Sequence, residues 1–130
     1  MSFEVFVTRF TDGEAAQLDP TIVRDVLGPY VTAGAGAWLV VETPDGGRAD
    51  VGVRADAVTF HRFGGAGVMD LISALLDRLG AVLLVPGGPF LVHRERDAAQ
   101  VAPGIRESSG WPVMVASDGT ALEREIRGTP

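Results

Sequence analysis

The stretch Gly64-Gly65-Ala66-Gly67 stands between a β-like run and the most regular helical pattern in the chain. A glycine turn that opens a helix can offer unpaired backbone N–H groups to an anion, because the first helical turn leaves its donors unsatisfied and the dipole favours negative charge there. The stretch lacks both the GxGxxG spacing of a dinucleotide loop and the GK[ST] ending of a phosphate loop. It therefore reads first as a tight strand-to-helix turn, and second as an anion or small-ligand site built from Gly64, Gly65 and Gly67 with His61 beside them.

His61 and His93 each close an apolar run, and Asp50 would add a carboxylate to make a two-histidine, one-carboxylate set of the kind that holds a transition metal. No HxH, HxxxH or HExxH spacing supports that set, so no metal is expected. One histidine with Asp50 has the residue types of an acid–base pair. A nucleophile to go with it is lacking: the chain has no cysteine, and Ser73, Ser108 and Ser117 lie outside any GxSxG turn. All 11 basic residues are arginine, so this chain supplies neither a Schiff-base lysine nor a phosphate-loop lysine. No cofactor is expected.

Trp111 lies in the loop-like run Ser108-Ser109-Gly110-Trp111-Pro112 and has two readings. It either anchors a partner, as large rigid aromatics do at interfaces, or covers one end of the sheet. The aromatic residues of the strand-like runs, Trp38, Phe60 and Phe90 among them, read as core.

The element that positions the glycine turn is a helix. Val68, Leu71, Ile72, Leu75, Leu76 and Leu79 recur at i, i+3, i+4, i+7, i+8 and i+11, which predicts a helix from Val68 to Leu79 stopped by Gly80. Asp70, Ser73 and Asp77 fall on the opposite, solvent-facing side. Phe3 to Phe10 predicts a strand inside a sheet, ended by Thr11-Asp12-Gly13-Glu14. Asp19-Pro20 starts a helix carrying Ile22, Val23, Val26 and Leu27 on one stripe, and Gly28-Pro29 stops it.

Thr32 to Gly36 reads as a flexible connector. Ala37 to Glu42 and Arg48 to Val53 are strands joined by a Pro44-Asp45-Gly46 hairpin, and Val58 to Arg62 completes a meander. Gly52 marks a bulge or a close contact. Ala81 to Val85 is a fully apolar strand, and Phe90 to Val92 resumes an extended run after the Pro86–Pro89 turn. His93 to Gln100 opens a short polar helix broken at Ala102-Pro103-Gly104. Trp111 to Val115 is an edge strand, and 120–126 is either a helical turn capped by Thr120 or a closing strand. The expected class is α+β: an antiparallel or mixed sheet of about five to six strands with two main helices packed on it. Residues 1–130 form one domain in this reading, with 93–130 its least defined part.

Composition narrows the function. With 46% apolar and 22% charged residues the chain is globular rather than disordered. Its longest apolar run, Gly80 to Phe90, is too short to cross a bilayer. No signal-peptide pattern follows Met1, and with cysteine absent the expected location is cytoplasmic. A net charge of −6 opposes nucleic-acid phosphates and anionic membranes and favours a basic protein partner. In general build the chain is similar to bacterial toxin-immunity proteins and other small interaction modules, a likeness of size and charge. The leading expectation is a non-enzymatic, protein-binding module of immunity or regulatory type. The alternative is a small-ligand binder or minor enzyme using the glycine turn and His61. Homodimerisation through an exposed strand edge is compatible with either.

Overall fold

The computed structural model describes residues 4–11 and 13–127; the expected strand start at Phe3 and the turn residue Asp12 lie outside the described residues. The strands are β1 (Glu4–Thr11), β2 (Glu14–Ala16), β3 (Val31–Ala35), β4 (Trp38–Glu42), β5 (Arg48–Val53), β6 (Ala57–Gly64), β7 (Val82–Leu84), β8 (Phe90–Val92) and β9 (Val113–Val115). The helices are α1 (Pro20–Leu27), α2 (Ala66–Leu79), α3 (Pro103–Ser109) and α4 (Gly119–Arg127), with 3-10 turns at Gly28–Tyr30 and Glu95–Gln100. The strands pair in the order β3-β4-β5-β6-β1-β7-β8-β9, and β2 pairs with the far end of β1. Every pairing is antiparallel except β8 with β9.

This corrects the expected five- to six-stranded sheet with two helices: the described residues hold nine strands and four α-helices. Two of the added strands carry no hydrophobic alternation to betray them. Thr32 to Gly36 was expected as a connector, yet Val31–Ala35 pairs along β4 so closely that a Cβ on Gly34 would stand 2.8 Å from both the Leu39 side chain and the Trp38 carbonyl oxygen. Small residues are what that approach requires. Glu14–Ala16 is held by pairing with β1 rather than by its own pattern. Pro103 was expected to break a helix, but it starts α3, since the first helical turn has no use for the missing N–H. The segment at 120–126 is helical, and Asp118 caps it, accepting from the Ala121 N–H at 2.7 Å.

One face of the sheet carries the main core. Val5 and Val7 of β1, Val51 of β5, Val58 and Phe60 of β6, and Leu83 of β7 are fully buried against the α1, α2 and α4 side. The Asp19 carboxylate accepts from the Thr21 N–H at 2.9 Å and caps α1, with Pro20 in the first turn as expected. Helix α2 buries all six residues of the predicted stripe and ends at Gly80, whose φ of 61° is left-handed. Its expected solvent side is not fully solvated. Helix α4 packs along it, Met69 and Ser73 are buried, and a Cβ on Gly119 would collide with Asp70.

The other face is covered over only part of its width. Val82, Phe90 and Val92 form a second core with Val101, joined by Phe10, Leu84, Ala98, Ile105, Trp111 and Val113. Gln100 fastens this cover, its amide oxygen accepting from the Phe10 N–H at 3.3 Å and its amide nitrogen donating to the Gly80 carbonyl. The cover stops at β1; no helix lies over the β3–β6 side of that face among the described residues. None of the helices described is long and apolar enough to cross a membrane.

Candidate functional site

The uncovered area is set by strand alternation. Register places Trp38 opposite Gly52, Val40 opposite Asp50, Asp50 opposite His61 and Glu4 opposite His61, while Leu39, Val51 and Phe60 take the intervening positions toward the main core. Trp38, Asp50, His61 and Glu4 therefore share one open surface on four adjacent strands. Asp50 and His61, paired on residue type alone, are direct neighbours in the sheet.

Three contacts organise the surface. The Glu4 carboxylate lies 2.9 Å from His61 Nδ1, so Nδ1 carries the proton and acid–base or ligand chemistry falls to Nε2. The Trp38 ring stands 4.9 Å from the imidazole, centroid to centroid, tilted by 56°. Gly52 makes room beneath that ring, since a Cβ there would stand 3.3 Å from it. The close contact anticipated at Gly52 is thus with Trp38. Sequence reasoning placed Trp38 in the core; it is 52% exposed. Its place in a strand-like run suggested burial, but burial needs a covering layer, and none reaches this end of the sheet among the described residues.

Arg62 adds strain at the rim. It is the one non-glycine residue with positive φ (47°) among the described residues, and it sits where β6 carries an extra residue against the Arg48–Asp50 step of β5. Such a bulge re-aims a side chain, at about 1–3 kcal/mol of backbone strain. Arg62, His61, Asp50, Trp38 and Gly34 border a depression of about 550 Å³.

The glycine turn is arranged differently from this surface. Asp45, in the β4–β5 hairpin, reaches across to the start of α2. One carboxylate oxygen accepts from the Gly67 N–H at 2.9 Å; the other accepts from the Gly47 N–H at 3.2 Å and from the Thr43 hydroxyl. These bonds, that from Thr43 first, hold the Asp45 carboxyl down at about 2, from 3.8. An internal carboxylate therefore occupies the helix N-terminus where an external anion would bind. The glycines serve that docking: a Cβ on Gly65 would stand 2.6 Å from the Gly47 Cα, and one on Gly67 would meet Thr43 and Asp45. Gly64 ends β6 in the open.

His93 is not near His61. It follows β8 at the opposite end of the sheet, with Nε2 3.6 Å from Asp77 of α2, a carboxylate shared with Arg94 at 2.7 Å. No group of three or more metal-ligating side chains gathers among the described residues. Trp111 is half-buried, its ring 5.3 Å from that of Phe90 and packed over Gly88. No family model matches the chain, and neither a curated protein nor a solved structure matches it.

Proposed function

We propose that the chain is a protein-interaction module whose contact surface is the open β3–β6 side of the sheet, anchored by Trp38. The observation that carries this reading is an exposed tryptophan packed against Gly52 and His61 on an uncovered sheet face. A rigid aromatic presented in this way forfeits little freedom on binding, and such residues dominate interface energetics. The edge strand β3 supports the reading, since all five of its residues are exposed and none is charged. A bare, uncharged edge is a template for strand pairing that proteins otherwise blunt or cover. The charge of −6 selects a basic partner, with Glu42 and Asp50 on the surface itself.

The test is affinity capture from the native lysate, followed by titration of the purified partner. Trp38→Ala is expected to weaken binding by roughly 30-fold or more, the scale of a hot-spot truncation. Binding is also expected to fall as salt rises. Equal affinity of wild type and Trp38→Ala would overturn the reading. Size-exclusion chromatography over a concentration series separates a heterologous partner from a second copy pairing through β3.

A second reading rests on the depression beside His61. The Glu4–His61 pair, the strained Arg62 and the Trp38 wall suit a small aromatic ligand. Crystal soaks or ligand-observed NMR with a fragment set, repeated on His61→Ala, test it; no hit at this depression would remove it.

A further inference from the structure

A second concavity lies on the opposite side of β4 from Trp38, beneath the helix layer, with Val31 of the edge strand β3 in its lining. Its walls are α1, the β3–β4 turn and the end of β5, and it encloses about 450 Å³. That falls within the range of roughly 300–1,000 Å³ usual for small-molecule sites. The lining is apolar, with Leu18, Val23, Leu27, Leu39 and Val53 turned toward it. Two charged residues complete it, Arg24 of α1 and Arg54 after β5, and no carboxylate does among the described residues.

The absence of a carboxylate in the lining is informative. The chain carries 17 acidic residues against 11 arginines, yet none of the acids lines this cavity among the described residues. Neither Arg24 nor Arg54 makes an ion pair among the described residues. Of the acids flanking the cavity in sequence, Asp19 caps α1, Asp25 pairs with Arg78, and Asp56 follows Ala55 without entering the lining. Two arginines thus line an apolar cavity in an acidic molecule.

We infer that this cavity binds a small amphipathic anion, a molecule with an apolar body and a terminal carboxylate. The body fills the space between α1 and the Leu39–Val53 surface, displacing poorly held water from apolar walls. The carboxylate meets Arg24 and Arg54, whose planar donors suit it. Hydrophobic burial supplies affinity, and the arginines supply the preference for an acid over an alcohol.

Calorimetric titration with decanoate and with decanol, both below their aggregation limits, tests the inference, and amide NMR shifts locate the binding. Decanoate is expected to bind more tightly than decanol and to shift the amides of Leu18, Ala37 and Val53. Arg24→Gln/Arg54→Gln, at two exposed positions, is expected to weaken decanoate by roughly 5- to 20-fold and to leave decanol unchanged. Ala37→Phe is expected to weaken both by filling the mouth. Equal binding of decanoate and decanol, binding unchanged in the double variant, shifts confined to other surfaces, or no binding of either probe would each overturn the inference.

Discussion

Trp38 and Trp111 stand on the same face of one sheet, and only one of them is covered. Trp111 lies on the β7–β8–β9 side, where the segment from Glu95 to Gly110 folds back to bury Phe90 and Val92. Trp38 lies on the β3–β6 side, where none of the described residues folds back and Trp38 is 52% exposed. Both rings rest over a glycine, Gly88 for Trp111 and Gly52 for Trp38. The local chemistry is similar, and the difference is a covering layer. That contrast separates a residue that stabilises the fold from one available to a partner.

The largest expected effect is on the covered side. Phe90→Ala removes a ring that is 2% exposed and should cost about 3–5 kcal/mol in urea unfolding, the usual toll for a buried aromatic. Trp111→Ala, at a half-buried ring on the same cluster, should cost about 2–3 kcal/mol. A change below about 0.5 kcal/mol for Trp111 would break the comparison, because the two tryptophans would then be equally dispensable to the fold.

Asp45 gives a prediction of intermediate size with a defined pH signature. Its carboxyl is held at about 2, from 3.8, so the ionised form is favoured in the folded state. The resulting stability is fully present above 3.8 and is lost as pH falls through about 2. Asp45→Asn should lower the urea midpoint at neutral pH, and the gap from wild type should close between those two values. A gap that stays constant with pH would show that the Asp45 bonds do not favour the charged form.

The smallest stability effect is expected on the open side. Trp38→Ala should cost less than about 1 kcal/mol of folding stability while removing most partner affinity. A loss as large as that of Trp111→Ala would make Trp38 a structural residue and dissolve the contrast.

Much of the covered architecture was legible from local pattern. The stripe from Val68 to Leu79, the Asp19-Pro20 start and the Pro44-Asp45-Gly46 hairpin all carry their signal within a few residues. Residue type set Asp50 beside one histidine without saying which; the register places His61, not His93, across from it. What local pattern could not carry depends on distant segments. β3 is a strand because β4 lies beside it, and α4 covers a side of α2 that looked polar. The carboxylate serving Gly67 comes from Asp45, 22 residues earlier. Trp38 was assigned to the core because strand alternation reports which face a residue takes, but not whether anything covers that face.

The most direct test of an interface on the open side uses fluorescence. Trp111→Phe leaves Trp38 as the sole tryptophan, and Trp38→Phe leaves Trp111. In the free protein, acrylamide should quench Trp38 far more readily than Trp111. Adding the purified partner should protect Trp38 and leave Trp111 unchanged. Trp38 quenching that is the same with and without a bound partner would contradict the account.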